Sequence, residues 1–378
     1  MTPILPPAWL GVLGGGQLGL FFVLAARQMG YRVAVLDPEP GSPAGAFANR
    51  HLAAAYDDAA ALQELAGLCA AVTTEFENVP AESLAFLAGR IRVAPSAQCV
   101  ATAQDRIREK ATFKAIGLPV GPYATVEREA DLARPELYPA VLKTARFGYD
   151  GKGQSRVDSQ ADAVRAWEAM HRVPCVLEKR LELEREVSAI VARGAHGETR
   201  VFPIAENRHR HGILDVCIVP ARVAPPLAEE ARSIAARLAA GLSYEGVLGV
   251  EFFVVNGRLL VNEMAPRPHN SGHYTMDACV ASQYAQQVRA LCGLPLGDER
   301  LLSAATMVNL LGDLWGASAE PAWRDLLNEP RAHLYLYGKR SARPGRKMGH
   351  YTVLDADPVR ALETALALRA KLGIGGGD

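Results

Sequence analysis

A chain of 378 residues, 49% of them apolar, is long enough for two or three domains with real cores. Its 41 acidic and 41 basic residues cancel, so no global field draws it to nucleic acid or to an anionic membrane, and neither is expected as a partner. No basic residue precedes Arg27, the longest early apolar run (18–26) is too short to span a bilayer, and the six cysteines form no C-x-x-C pair, which together point to a cytoplasmic protein with reduced thiols.

Residues 9–13 read as a buried strand running into Gly14-Gly15-Gly16-Gln17-Leu18-Gly19. A helix is expected through Met29 with Gly30 as its stop, and a second strand over 32–36 ends at Asp37. This is β-α-β grammar, and the glycines fit G-x-G-x-x-G with an acid 18 residues after Gly19. Two readings stay open: a dinucleotide fold, or glycines that let strand and helix pack with no dinucleotide. A third strand over 70–73 leads into Thr74-Glu75-Phe76-Glu77-Asn78-Val79-Pro80. Open α/β sheets place ligands just past the carboxyl ends of their strands; the alternative is that Asn78 caps a helix beginning at Ala81. A strand over 92–94 ends this unit near Pro95.

Residues 104–116 are expected as one helix carrying Asp105, Arg106 and Lys110, stopped by Gly117. Next comes VLKTARFGYDGKGQSRV over 141–157, a strand, a glycine loop and a strand. Gly148, Gly151 and Gly153 interleave with Tyr149, Asp150 and Lys152, between Lys143 and Gln154. Such a loop suits backbone amides closing over phosphates, and equally a mobile surface hairpin. It is not a Walker A loop, because no G-x-x-x-x-G-K-[ST] occurs. A helix over 161–172, a strand over 175–178 and the charged run Glu178-Lys179-Arg180-Leu181-Glu182 complete a compact α+β unit. Strands over 185–192 and 198–205 and a helix over 227–240 open a larger one.

Residues 249–264 form a hairpin, with Asn256-Gly257 between two apolar runs. Glu251 and Glu263 lie within those strands, and buried carboxylates require a partner or a metal. A plain two-residue turn would set Glu251 opposite Asn262 and point Glu263 to the other face. A shared metal therefore demands a three-residue turn with Gly257 left-handed, or a bulge elsewhere with the same effect. The turn form leaves the two Cα atoms diagonal, roughly 8 Å apart. The following loop, Ala265-Pro266-Arg267-Pro268-His269-Asn270-Ser271-Gly272-His273, is dense in polar groups without helix or strand period, as loops that carry chemistry are. A helix is expected over 277–291. Arg343-Pro344-Gly345-Arg346-Lys347-Met348-Gly349-His350 is a basic turn suited to a phosphate or carboxylate, or a solvated hairpin tip, and a helix over 357–372 closes the chain.

The order of these parts resembles the ATP-grasp superfamily. GGGQLG, TEFENVP, FGYDGKGQ, VNEMAPRPHNSGH and RPGRKMGH resemble the N5-carboxyaminoimidazole ribonucleotide synthetase family within it, over nearly the whole chain. The resemblance implies an α/β and α+β fold: a Rossmann-like pre-ATP-grasp domain (1–103), a small glycine-loop lobe (104–182) and a larger antiparallel lobe (183–378) with a C-terminal segment from about 318. It implies ATP as cosubstrate, Mg²⁺ with Mn²⁺ as its substitute, bicarbonate and aminoimidazole ribonucleotide as substrates, and a homodimer. Arg106 and Lys143 would meet the ATP phosphates under a lid of Gly148, Tyr149, Asp150, Gly151, Lys152, Gly153 and Gln154. Glu178, Lys179, Arg180 and Leu181 would form the hinge that reads adenine. Glu186 would hold the ribose, with His209 near the nucleotide. Glu251 and Glu263 would bind Mg²⁺ beside Asn262. Gln17, Glu75, Asn78, Arg346 and Lys347 would surround the ribonucleotide. Arg267, His269 and His273, with Lys347, would serve carboxyl transfer. Relatives often carry Arg-Met where this chain has Leu20-Phe21, which leaves the phosphate contact from that side unassigned.

The expected reaction begins with bicarbonate attacking the γ-phosphorus of ATP to give carboxyphosphate, followed by attack of the substrate amine on the carboxyl carbon or on released CO₂. Its place is de novo purine synthesis. Another ATP-grasp ligase would share the nucleotide residues but not RPHNSGH with RPGRKMGH. A nicotinamide-dependent dehydrogenase would explain GGGQLG and Asp37 but not the glycine lid or the carboxylate hairpin. A catalytically dead ATP sensor is at odds with intact Lys143, Glu251 and Glu263.

Overall fold

The computed structural model describes residues 2–148, 152–316 and 321–374. Trp9–Leu13 is the centre of a five-stranded parallel sheet, flanked by Arg32–Leu36 and Ala71–Thr74, with Arg50–Leu52 and Arg92–Val93 at the edges. Past Trp9 and Arg32 at their starts, its three central strands are buried, as parallel strands covered on both faces must be. The chain crosses from one side of Trp9–Leu13 to the other. That switch point opens a crevice at the carboxyl ends of the strands, where Gly14, Asp37 and Glu75 follow.

Two antiparallel sheets complete the chain. The smaller runs Tyr123–Val126, Cys175–Lys179, Ala140–Thr144, Gln154–Val157. The larger has nine strands and ends on the carboxylate hairpin, with Arg258–Ala265 outermost and Gly246–Val255 next to it. Lys347–Asp355, which leaves the basic turn, pairs with Ala304–Leu311 in that same sheet. Helix Pro225–Gly241 packs its apolar stripe of Ala231, Ile234, Ala235 and Leu238 beneath this sheet.

Several expected elements differ in detail. The helix expected over 104–116 is present but starts later, as Arg106–Ala115, because the Asp105 carboxylate caps it by accepting from the Ile107 and Arg108 amides; a separate helix, Ala97–Ala103, precedes it. The helix expected over 277–291 divides into Thr275–Ala278 and Gln283–Leu291, because Ser282 caps the second segment through the Ala285 amide. Asn78 is not a cap: helix Ala81–Ala88 starts after Pro80 with no side-chain cap at all. The strand expected over 198–205 is interrupted, forming Thr199–Val201 and Ala205–Arg210.

The hairpin resolves the register question by the second of its two routes. Val255 pairs with Arg258, so the turn is the two-residue Asn256-Gly257, both left-handed at φ of 48° and 67°. The expected three-residue turn is therefore absent. Phe252 instead pairs with Val261 and Glu251 with Glu263, so Asn262 is an extra residue in a bulge. The two glutamates stand directly opposite on one face, closer than the diagonal placement expected from the turn.

Candidate active site

One cleft of about 1410 Å³ runs between the three sheets. Gln17, Glu75 and Asn78 line it from the parallel domain, and Arg106, Lys143, Gly148, Lys152 and Gln154 from the small lobe. Glu186, His209, Glu251, Asn262, Glu263, Arg267, His269, Arg346 and Lys347 complete it. The hinge residues Glu178, Lys179, Arg180 and Leu181 close one end. Tyr149, Asp150 and Gly151 lie outside the described residues.

The glycine turn at the switch point is occupied by the protein itself. The Gly15 amide donates to Asp37 Oδ2 at 2.7 Å, and the Gly16 and Gly19 amides donate to the Glu75 carboxylate at 2.8 and 3.0 Å. Asp37 also accepts from the Tyr56 hydroxyl at 2.7 Å. With these amides already taken, and with two carboxylates there to repel a pyrophosphate, the physical basis of a dinucleotide site is missing here. Glu75 thus shapes the crevice floor, and burial raises its pKa against those amide bonds.

The carboxylate pair is electrostatically divided. Glu263 is paired with Arg106 at 2.9 Å. Burial works against its charge, but the guanidinium and its hydrogen bond hold the carboxyl down at about 2. Glu251, with no arginine, is pushed up to about 7 by burial and by the Glu263 charge. A cation set between them would relieve that repulsion, so the donor set fits one. Among the described residues no group of three His, Cys, Asp or Glu side chains comes together, so remaining ligands must come from elsewhere.

Beside them Glu178 joins two lysines: Lys143 at 3.0 Å and Lys110 at 3.5 Å. The lysines overcome the cost of burial and lower its pKa. The amides of Lys179 and Arg180 donate to Pro122 O and Pro139 O, so any backbone reading of a purine at this hinge falls to other groups of the segment. His209 Nδ1 lies 3.0 Å from Glu186, which raises the histidine pKa despite burial.

Arg267 is ion-paired with Glu77 across the cleft floor. Burial and the charges of Arg267 and Lys347 push His269 down to about 3, so its ring is neutral, with Nε2 at 3.3 Å from Glu251. His273 is elsewhere. It is completely buried, stacked on His350 with ring centroids 4.3 Å apart, and its nitrogens face the Tyr284 and Tyr337 hydroxyls at 2.9 and 3.3 Å. Phe21 packs against the same rings, which gives the Leu20-Phe21 departure an apolar role. His273 is not among the residues that line the cleft.

Three residues in or behind the cleft wall had no assignment from sequence. Glu109 follows Arg106 by about one helical turn, accepts from the Met264 amide at 2.7 Å, and is raised to about 8 by burial. Lys110, 2% exposed, donates to Asn262 O at 3.1 Å. These neighbours clamp the edge strand on both sides of Glu263. Lys339 lines the basic end, donates to Lys347 O at 2.7 Å, and is lowered to about 8 by burial and the Arg346 charge. An acid one helical turn from Arg106 is a signal the sequence carried; Lys339 has no motif around it beyond the general basic run.

The family comparisons agree along the chain. Residues 8–104 match the ribonucleotide synthetase preATP-grasp domain, 111–284 the ATP-grasp domain, and 305–364 the phosphoribosylaminoimidazole carboxylase C-terminal domain. The chain is 44% identical to the N5-carboxyaminoimidazole ribonucleotide synthase of Bacillus subtilis (strain 168), covering 93% of this chain and 92% of the relative. It is 44% identical to that of Brucella melitensis biotype 1, covering 93% and 97%. Among solved structures, the Thermus thermophilus synthetase superposes with a TM-score of 0.89 at 40% identity, covering 96% and 98%. An Aspergillus clavatus synthase in complex with ADP and aminoimidazole ribonucleotide superposes with a TM-score of 0.89 at 30% identity, covering 97% and 99%.

Proposed function

The chain belongs to the N5-carboxyaminoimidazole ribonucleotide synthase family of ATP-grasp ligases, and from that premise we propose how its own residues carry the reaction. It is an ATP-dependent ligase of purine biosynthesis that uses bicarbonate to carboxylate aminoimidazole ribonucleotide at N5, giving ADP and phosphate. The observation that carries this reading is one continuous cleft. It joins the opposed carboxylates Glu251 and Glu263 to the basic turn of Arg346 and Lys347, with Arg267 and His269 between.

At the nucleotide end, Lys143 and Arg106 take the ATP phosphates, and Glu186 takes the ribose. Glu251 and Glu263 hold Mg²⁺, which when bound supplies charge neutralisation to the phosphates of the transferring group. Gly148, Lys152, Gly153 and Gln154 cover the phosphates and keep water from carboxyphosphate, an intermediate that hydrolyses readily. At the other end Arg346, Lys347 and Lys339 receive the ribonucleotide, with Gln17 and Asn78 opposite. Arg267, fixed by Glu77, and the neutral His269 stabilise the carboxylate while it passes to the substrate amine. His273, away from the cleft wall, supports this loop from beneath. The protein works in the cytoplasm as a homodimer. One observation supports the location: its six cysteines are free and buried, as in a reducing compartment.

The test is phosphate release from ATP with bicarbonate, with and without aminoimidazole ribonucleotide. Release that depends on both, with the carboxylated product formed, is expected; ATP turnover indifferent to the ribonucleotide would overturn the reading. Lys347→Ala should raise the KM for aminoimidazole ribonucleotide about tenfold or more, because charge-assisted phosphate contacts are worth roughly 1.5–3 kcal/mol. The KM for ATP should hardly move, and a selective ATP defect would shift this turn to the nucleotide site.

The divided carboxylates also set a pH dependence. Glu251 binds metal only as the anion, and its pKa of about 7 in the free protein means protons compete below that pH. Between pH 8 and pH 6 the apparent affinity for free Mg²⁺ should fall about tenfold, the protonated fraction rising as pH drops through 7. Metal activation curves at fixed ATP would show it, and curves that coincide at both pH values would refute it.

A further inference from the structure

We propose that Ser271 and Ser188 are positioning residues that lock the His269 ring with its Nε2–H aimed into the cleft, so that His269 serves carboxyl transfer as a hydrogen-bond donor rather than as a base at that nitrogen. The proposal rests on the reading of the cleft given above.

The backbone of His269 is pinned first. Gln283, completely buried, accepts from the His269 amide and donates to the His269 carbonyl, both at 2.8 Å. Gly249 lies under the ring, where a side-chain carbon would come within 2.8 Å of His269 Cβ, so only glycine lets the loop sit this close. The Cα and Cβ positions are thereby set, and the ring can only turn about its own bonds.

The ring is then fixed by donors on one side. The Ser271 amide donates to His269 Nδ1 at 3.4 Å, and the Ser271 hydroxyl lies 2.8 Å from the same nitrogen. A backbone amide can only donate, so Nδ1 must carry the lone pair. The Ser188 hydroxyl donates to Ser271 Oγ at 2.8 Å, which leaves the Ser271 hydroxyl proton for Nδ1. Both serines are at most 1% exposed, so no bulk water competes for these bonds. A neutral imidazole accepting at Nδ1 holds its proton on Nε2, and Nε2 lies 3.3 Å from Glu251 Oε1 at the cleft wall. Ser188 is the cross-strand partner of Glu251 in the neighbouring strand, so one strand pair places both the carboxylate and the hydroxyl that orders the histidine.

A donor in that place suits the chemistry. The group transferred carries negative charge on its oxygens throughout, and an N–H aimed at it is favourable without any proton moving. A base at Nε2 would require the opposite tautomer, against both Ser271 contacts.

The experiment is ¹⁵N NMR of the full-length, histidine-labelled protein, with His269→Gln used to assign the His269 signals. The wild type should show Nε2 protonated and Nδ1 unprotonated. Ser271→Ala should introduce the second tautomer and lower kcat about tenfold, the low end of the loss that follows removal of an outer partner from a metal-ligating histidine, with the KM for ATP unchanged within twofold. Ser188→Ala should do the same to a smaller degree, and it decides the matter should Ser271→Ala not fold. A wild-type ring protonated at Nδ1, or a lost tautomer preference with kcat intact, overturns the proposal. Failure of the wild type to carboxylate aminoimidazole ribonucleotide would instead overturn the function, since the tautomer is read without turnover.

Discussion

Glu263→Gln is expected to lower Mg²⁺-ATP turnover by about 100- to 1,000-fold while leaving the fold intact. The size follows from the several kcal/mol that a metal contributes to phosphoryl transfer, at about 1.36 kcal/mol per tenfold. Glutamine keeps the volume of the side chain and an acceptor for Arg106, which holds Glu263 at 2.9 Å. What it removes is the charge opposite Glu251 on the one face the bulge creates. Steady-state kinetics across a Mg²⁺ series, with circular dichroism and a thermal melt beside it, separates the two effects. A tenfold loss or less, or a melt that collapses together with activity, would show the pair to be structural.

The second large effect is expected at a residue that need touch no substrate. Lys110→Met should cost about 3 kcal/mol of stability and most of the activity. The lysine is 2% exposed and bridges the Asn262 carbonyl and the Glu178 carboxylate. Breaking a buried pair from one side is expensive because the other charge stays behind; Lys143 still serves Glu178, which places the loss at the low end of the roughly 3–5 kcal/mol range. Methionine fills the same space, so the loss is electrostatic and not a cavity. Urea denaturation followed by fluorescence reads it. A midpoint within error of the wild type would mean that Lys110 is dispensable to the clamp.

Much of this architecture was legible in the residues. The parallel domain announced itself through GGGQLG and Asp37, and the hairpin through Asn256-Gly257. Local chemistry determined both, and the structure keeps both. Where the reading fell short, the cause was tertiary. Asp37 and Glu75 read as ligand-facing acids in one dimension, and they do line the cleft, but their bonds to the glycine amides across the sheet could not be read there. His269 and His273 sit four residues apart in one motif, but only one reaches the cleft, because the chain dives beneath the sheet at Tyr274. The bulge at Asn262 has no local sequence signal. It followed only from the expectation of a metal shared by two carboxylates on one face, and only pairing shows where the extra residue goes. Helix boundaries at Asp105 and Ser282 turned on side-chain caps inside apparently continuous periodicity.

The carboxylate strand Arg258–Ala265 is the outermost of its sheet, a place where unpaired backbone groups invite a foreign strand. Here that border is closed by groups from the small lobe and its approach. The Val261 amide donates to Pro119 O at 2.7 Å, Asn262 O accepts from Lys110, and the Met264 amide is taken by Glu109. The same three bonds that steady the strand carrying Glu263 therefore act as a guard against self-association. A large lobe synthesised without residues 104–182 would present a bare, apolar ribbon and would precipitate by strand-to-strand stacking, so the two lobes are solubility partners as well as catalytic ones.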